Sequence, residues 1–540
     1  MRQGQHGLGA PGGRWSRANG CGVLAEFGRD RAGSSIIMFS LTFAVMMFTA
    51  AMAIDYGRAE LERMHMQRAL DAAALAASHQ LGQVDQETKA RAAAEAYFRV
   101  NSPPGSHTHI GSLVLDAQKG EVTMTAAGIS VTSLLNAFGI NSMALGAGTK
   151  VSKGDGTVEI ALVLDNSGSM GGQSIVDLRT ASRDLVDRIY GGVADNDKVW
   201  VSVVPFAGSV NVGSVNRNSG WIDTAGLAPV HFQNFAEART RFELLSTMGV
   251  AWAGCVEARP APHDVQDTIP MASDPSSLFV PMFAPDEPDS GNSDGDSYPN
   301  SYLDDFGGSC PTPPQVCVRW SNRQNSCRQW GPEPLAPAPA QARTCKYDNA
   351  TPSGAGPNSN CTTPALLPLT SHKSDVTAAI DLMRANGNTN IGEGVMWGRR
   401  VLSPELPFTE GRSWDDQNNR KFMVVMTDGQ NTYQTYGNHN RSSYGAFGYA
   451  AKDRLGTSYS QSALVTQMNA KTSTACNAAK TQGITIYTIA FRLESDPTTL
   501  SLLQGCASGS DKAYRASDGQ ALIQVFQAVG REIAQLRVSS

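Results

Sequence analysis

Three short segments carry oxygen ligands where one fold can bring them together. Asp165-Asn166-Ser167-Gly168-Ser169-Met170 sets one carboxylate and two hydroxyls at alternating positions. It follows the apolar run 158–164 and precedes a helical pattern. Thr389, in Gly387-Asn388-Thr389-Asn390, stands at the entrance of a second helical pattern, and Asp428 follows a strand pattern in Thr427-Asp428-Gly429. Such a donor set is hard and oxygen-only, which suits Mg²⁺ or another small divalent cation. Gly168, Gly171 and Gly172 permit the tight backbone path that would turn the hydroxyls inward. The plainer alternative is a loop that caps a helix through hydrogen bonds and holds no metal.

The elements that must position these residues alternate between strand and helix. A buried strand is expected at 158–164, a helix at 173–190 and a strand at 198–206. Helices follow at 374–384 and 391–402, then a strand at 422–426, a helix at 461–482 and a strand at 484–491. A short strand near Ala513-Tyr514 and a helix at 518–536 close the series. This alternation predicts a mostly parallel sheet covered on both faces, with ligands at the carboxyl ends of its strands. Residues 208–370 interrupt the order with most of the prolines, five closely placed cysteines and little periodicity. They read as an insertion stapled by disulfides, with disorder expected around 334–340. Because the first half supplies Asp165, Ser167 and Ser169 and the second Thr389 and Asp428, the halves are expected to fold as one sheet.

Upstream, residues 36–54 carry no charge and would span about 28 Å as a helix, roughly one hydrocarbon core. The run meets Asp55-Tyr56-Gly57-Arg58, a poor cleavage site, so a retained anchor is favoured over a signal peptide. Arg14, Arg17, Arg29 and Arg31 precede the run, whereas acidic residues balance Arg58, Arg63 and Arg68 after it. This places the N-terminus inside and the remainder outside. The helix should continue through Met66, Leu70, Ala73, Ala77, Leu81 and Val84, an Ala-rich stripe able to pack closely on another helix. A second helix at 87–99 and a small β-rich region at 108–152 should follow.

The formal net charge of −5 and the 17% charged residues leave no broad basic field, which argues against nucleic acid as a main partner. Cys21 falls on the inner side, leaving Cys255, Cys310, Cys317, Cys327, Cys345, Cys361, Cys476 and Cys506 outside, an even number in an oxidising compartment. Cys476 and Cys506 flank one strand and are expected to pair, which leaves Cys255 to pair with an insertion cysteine.

Asp165-x-Ser167-x-Ser169 with Thr389 and Thr427-Asp428-Gly429 resembles the metal-ion-dependent adhesion site of von Willebrand factor type A domains, over about 157–206 and 371–536. The resemblance implies direct metal contacts from Ser167, Ser169 and Thr389, and contacts largely through water from Asp165 and Asp428. One position would be left for an acidic group of a partner. At the other end, Gly33-Ser34-Ser35-Ile36-Ile37-Met38-Phe39, Ala53-Ile54-Asp55-Tyr56-Gly57-Arg58 and Leu70-Asp71-Ala72-Ala73-Ala74-Leu75-Ala76 resemble TadG-like Flp pilus-assembly proteins. Those bacterial proteins join a membrane helix and Ala-rich stalk to an exported type A domain. Related pseudopilins have Glu five residues after the processing glycine; here that position is Met38, so prepilin-type cleavage is unsupported.

The resulting fold class is α/β: a doubly wound, mostly parallel von Willebrand type A sheet with a long disulfide-rich insertion. It would be preceded by a transmembrane helix, a helical stalk and a small β-rich region. The expected segments are 1–34 (cytoplasmic), 35–55 (transmembrane), 56–102 (stalk), 103–155 (β-rich), 156–207 and 371–540 (type A domain), and 208–370 (insertion). The implied protein is a non-enzymatic, single-pass inner-membrane component of a Tad pilus system with its bulk periplasmic or at the cell surface. Its cofactor would be a divalent cation, Mg²⁺ first, with Mn²⁺ and Ca²⁺ as alternatives. Its partners would be pilus or secretion-machine proteins, or a surface ligand supplying an acidic residue, with self-association through the stalk. The competing reading is a purely structural scaffold without metal-dependent binding.

Gly291-Asn292-Ser293-Asp294-Gly295 matches a nucleophile elbow in letters, but lacks the strand and helix that an elbow requires. Asp289, Asp294, Asp296, Asp304 and Asp305 lack the spacing of a calcium loop and read as a solvated acidic loop. His107 and His109 read as polar strand residues.

Overall fold

A computed structural model describes residues 33–78, 80, 86–103, 106–116, 121–152, 156–191, 195–289, 296–321, 326–354, 356–457 and 459–538. Cys21 and the arginines before the apolar run, Leu81, Val84 and the 291–295 motif lie outside the described residues. The chain divides into two compact units, 1–153 and 154–540.

The first unit begins with helix α1 (Gly33–Ser78), followed by α2 (Gln86–Asn101). Strands β1 (His107–Asp116), β2 (Glu121–Val131) and β3 (Ser142–Ser152) form an antiparallel sheet in that order. The first part of α1 presents Ile36, Phe39, Phe43 and Met46 outward, each more than half exposed. It belongs to the one helix among the described residues long and apolar enough to cross a membrane. Beyond it the Ala-rich stripe is buried: Met66, Leu70, Ala73 and Ala77 join Ala90, Ala94 and Phe98 of α2 and Val122 and Met124 of β2 in one core. The small side chains allow the close approach that the stripe implied. His107 and His109 lie exposed on β1.

The second unit carries a six-stranded sheet. Its elements are β4 (Thr157–Asp165), α3 (Gln173–Tyr190), β5 (Val199–Phe206) and, after a long excursion, β8 (Leu367–Thr370), α6 (Lys373–Leu382) and α7 (Ile391–Leu402). Then come β9 (Asn419–Thr427), α8 (Gln461–Thr481), β10 (Thr485–Phe491), α9 (Pro497–Cys506), β11 (Ala513–Ala516) and α10 (Gly519–Val538). The excursion holds α4 (Arg241–Thr247), the hairpin β6 (Gln315–Trp320) and β7 (Cys327–Pro332), and α5 (Pro337–Ala342). Across the sheet the order is β11-β10-β9-β4-β5-β8. All neighbours are parallel except β8, which pairs antiparallel with β5. The edge strand β8 falls inside the stretch that sequence assigned to the insertion; four residues are too few to show a periodicity.

Every residue of β4 is buried, as a central parallel strand requires. Its side chains alternate: Ile160, Leu162 and Leu164 face a core shared with α3, α6 and α10, and Ala161 and Val163 face one shared with α7 and α8. The second core also takes Trp221, Phe242, Trp252, Phe279 and Phe283 from the excursion. Residues 208–370 therefore pack over α7, and all of α7 is buried. Gly394 and Gly398 let it lie directly on the sheet; a Cβ at Gly398 would stand 2.5 Å from Val163 Cγ2.

The disulfides are Cys255–Cys361, Cys310–Cys345, Cys317–Cys327 and Cys476–Cys506. The last matches the expected pair, and Cys255 does pair with an insertion cysteine. Two expectations are corrected. Within the 334–340 stretch, α5 begins at Pro337, and it is held because Ala340 and Gln341 are buried and Gln341 exchanges side-chain amide hydrogen bonds with Asn440 at 3.0 and 2.7 Å. The acidic segment is not merely solvated: Asp286 and Asp305 are fully buried around Lys346, whose Nζ lies 2.6 and 2.9 Å from them.

Candidate functional site

The sheet order reverses between β4 and β9, since β4 connects onward to β5 on one side while β9 begins the run to β10 on the other. Such a switch point opens a crevice at the strands' carboxyl ends. Asp165 ends β4, and Asp428 follows β9 directly. After Asp165 the chain makes a short 3-10 turn, Gly168–Met170, and Met170 plugs the loop into the α3 core. Thus an apolar anchor fixes the hydroxyls that precede it.

Asp165 is fully buried. Its Oδ1 accepts from the Ser167 N–H at 2.7 Å, and its Oδ2 accepts from the Thr427 hydroxyl at 2.6 Å. The Ser167 and Ser169 hydroxyls are 3.0 Å apart, and Ser169 donates to Asp428 Oδ1 at 2.5 Å. Ser167 is buried, Ser169 is exposed and Asp428 is half-buried, so the cleft has a closed floor and an open mouth. Burial pushes the Asp165 carboxyl up to about 6, against the Ser167 and Thr427 hydrogen bonds that favour its ionised form. Burial also raises Asp428, while the Ser169 hydroxyl and the Arg492 charge act the other way.

Thr389 arrives from a loop clamped to both neighbours. Gly168 N–H donates to Gly387 O at 2.9 Å, and Asn390 N–H to Ala207 O at 2.8 Å. Thr389 N–H donates to the Thr432 hydroxyl at 2.7 Å, and Thr432 N–H returns a bond to Thr389 O at 2.9 Å. The floor reaches Thr389 through Gly429: a Cβ there would stand 3.5 Å from Ser169 Oγ and 3.9 Å from Thr389 Oγ1. All five expected residues therefore converge on one cleft.

Three supporting residues escaped the sequence reading. Thr427 holds the second Asp165 oxygen. Asn166 accepts from Arg384 N–H at 3.0 Å and donates to Leu164 O at 2.9 Å. Asn431 accepts from the Ile391 N–H at 2.8 Å, fixing the start of α7. Thr427 and Asn166 had a signal, their places beside Asp428 and Asp165; Asn431 had none, since its partner Ile391 lies 40 residues off in sequence.

Two carboxylates and three hydroxyls about a glycine-lined cleft fit a small hard cation. Among the described residues no three His, Cys, Asp or Glu side chains cluster as a metal site. Both Asp165 oxygens already accept hydrogen bonds, which suits an indirect rather than a direct contact. The 291–295 motif lies outside the described residues.

The molecule is thus an α/β protein with an oxygen-lined cleft at its switch point, joined in sequence to a helix-and-sheet unit that begins with a long apolar helix. Residues 33–95 match the family model described as putative Flp pilus-assembly TadE/G-like. Comparison with curated proteins found no match. Among solved structures the chain is similar to the open conformation of the pilus adhesin SpaC from Lactobacillus rhamnosus GG, with 12% identity and a TM-score of 0.32. That match covers 81% of this chain and 35% of the adhesin, so the chain spans about a third of its length. It is also similar to the vWF domain of the type V pili tip protein Mfa5 from Porphyromonas gingivalis, with 10% identity, a TM-score of 0.33, and coverage of 71% of this chain and 97% of that one. The PilB minor pilin from Streptococcus sanguinis gives 12% identity, a TM-score of 0.32 and 80% coverage of each chain.

Proposed function

We propose that this chain is a membrane-anchored component of a Tad pilus system whose second unit is a von Willebrand type A domain with a metal-ion-dependent adhesion site. The observation that carries the reading is the convergence of Asp165, Ser167, Ser169, Thr389 and Asp428 on one open cleft. The strand order, with an antiparallel edge strand and the site at the switch point, supports the type A assignment. The apolar start of α1 and the family match over 33–95 support the anchor and the pilus context. The N-terminus would face the cytoplasm, and the four disulfides suit an oxidising exterior.

Ser167, Ser169 and Thr389 would hold Mg²⁺ directly, and Asp165 and Asp428 through water. The bound cation would supply an electrophilic position for a carboxylate of a pilus-machine protein or surface ligand. The protein's own residues position and bind; the reading assigns no catalysis to them.

Titration of the full chain in detergent with Mg²⁺ and Mn²⁺, followed by calorimetry, tests this. Saturable binding that is lost in Asp428→Ala is expected. No heat from either ion would leave the fold as a scaffold without a metal site.

A further inference from the structure

The turn that joins β2 to β3 is built like an element meant for lipid. From 122 to 149 the chain carries no charged side chain. At the turn, Leu134, Phe138 and Ile140 are 43%, 45% and 41% exposed, beside Val131 at 53%. Four apolar side chains this open at one tip are costly in water.

Their place along α1 shows what lies next to them. Asp55, directly after the uncharged run, accepts from the N–H groups of Ser133, Leu134 and Leu135 at 3.1, 2.9 and 2.7 Å. Arg58 donates to the Ser133 hydroxyl. The turn then runs back along the apolar part of the helix, and the Phe138 ring meets Phe48 edge-on at 5.1 Å. From Asp55 to Phe48 is about 10 Å along a helix axis, about the depth at which amphipathic elements sit in a bilayer interface.

The backbone is prepared for such a place. Lipid offers no hydrogen bonds, so a segment entering it must satisfy its own polar groups. Here Asp55 takes three N–H groups. Thr132, Ala137, Gly139 and Ile140 donate within the turn to Asn141, Leu134, Asn136 and Leu135 carbonyls.

We propose that this turn is a second membrane-contacting element, lodged at the headgroup–acyl boundary of the bilayer that α1 crosses. The inference rests on the anchor reading above. The phospholipid surface is the occupant because the turn's apolar tip is continuous, through Phe48, with the exposed apolar face of α1. With α1 alone the first unit could pivot about its anchor. With the turn lodged beside it, the unit is held at a fixed height and orientation on the membrane.

The test uses the full chain with Cys21→Ser, reconstituted in phosphatidylcholine–phosphatidylglycerol vesicles. Single cysteines are introduced as Phe138→Cys, Ile140→Cys, Phe43→Cys and Val114→Cys, and labelled with an environment-sensitive fluorophore. Val114 is an exposed apolar residue at the other end of the small sheet. Brominated acyl chains should quench labels at 43, 138 and 140 by about two-fold or more and leave 114 unchanged, as expected for elements at interfacial depth or below. Quenching at 43 without quenching at 138 and 140 would overturn the proposal and leave the anchor intact. Labels at 138 and 140 that are shielded from aqueous iodide yet insensitive to bromine would overturn it too, in favour of a protein covering the tip. No quenching at any position would remove the anchor reading, and this proposal with it.

Discussion

The Ser169 hydroxyl donates to Asp428 Oδ1 at 2.5 Å, across 259 residues of sequence. That bond ties the loop after β4 to the loop after β9, and the Thr427–Asp165 bond repeats the tie one layer deeper. Hydrogen bonds between the cleft's own donors and acceptors thus link the two loops. In the proposed metal reading, a cation would meet the Ser169–Asp428 contact at the open mouth before the buried Asp165 floor.

Two alanine substitutions should therefore separate binding from folding. Asp165→Ala leaves the Ser167 N–H buried without its acceptor, at about 1–3 kcal/mol, confines the Thr427 hydroxyl to its other acceptor, the Gly429 carbonyl at 3.0 Å, and would disturb the proposed cation site as well. Asp428→Ala removes a half-buried carboxylate that accepts its side-chain hydrogen bond from the exposed Ser169 hydroxyl. Calorimetry and thermal melts should show reduced metal affinity in both variants, with a markedly lower melting temperature in Asp165→Ala alone. Equal melting losses would mean that Asp428 is as structural as Asp165.

How much of this was legible in sequence depended on whether a signal was local. The buried strand β4 read as a short apolar run, and α3, β9 and β10 as members of the strand–helix alternation around it. The site residues were legible because each sits at a strand end or helix entrance. The packing of 208–370 was not legible. Its apolar anchors, Trp221, Phe242, Phe279 and Phe283, follow no period, and its polar contacts, such as Arg241 with Glu257, acquire meaning only once distant loops meet. Helix α7 gave a related difficulty. Its charged Glu393 and Arg400 are buried under the excursion, where Arg400 lies 4.9 Å from the Phe279 ring centre and 4.8 Å from that of Trp397.

Glu257 gives a pH prediction. It is buried against Arg241, Arg454 and the Tyr444 hydroxyl. Burial alone would raise its carboxyl, but the two guanidinium charges and the hydroxyl hold it below the usual range. A depressed carboxyl stabilises the fold above its unfolded value of about 4.3, and that contribution falls away as acid protonates it. Glu257→Gln should cost about 3–5 kcal/mol at neutral pH by leaving buried cations unpaired. The gap between wild type and variant in urea melts should narrow below about pH 4. A constant gap from pH 7 to pH 3 would show that the pairing charge is not its source.

The Cys476–Cys506 bridge joins α8 to α9 beneath β10, with a sequence separation of 30. In the chain-entropy picture a loop of that length stabilises by about 3–4 kcal/mol. Both sulfurs lie in the apolar core, so alanine at each position also removes some packing. The double variant Cys476→Ala/Cys506→Ala should lose at least that amount in denaturant melts. It should keep its metal affinity, because neither residue approaches the cleft. A loss of metal binding in a variant that remains folded would show that α8 and α9 help to position the site.

Gly387 tests the placement of Thr389. Its φ of 89° lies in the left-handed region, which costs an L-residue about 1–2 kcal/mol. An added Cβ would also stand 2.8 Å from the Thr362 hydroxyl. Its carbonyl accepts the Gly168 N–H, so any adjustment is passed to the Asp165–Ser169 loop on one side and to Thr389 on the other. Gly483 has a matching φ of 88°, open space around its Cβ position and a place before β10, at the opposite ends of the strands. Gly387→Ala and Gly483→Ala should therefore share the left-handed backbone cost in thermal melts, with a further loss in Gly387→Ala from the Thr362 contact. Only Gly387→Ala should also weaken Mg²⁺ binding, by about 10–100-fold, the usual penalty for displacing the support of a metal ligand. Equal Mg²⁺ affinities in the two variants would show that Thr389 tolerates movement of its loop, and would weaken its assignment as a direct ligand.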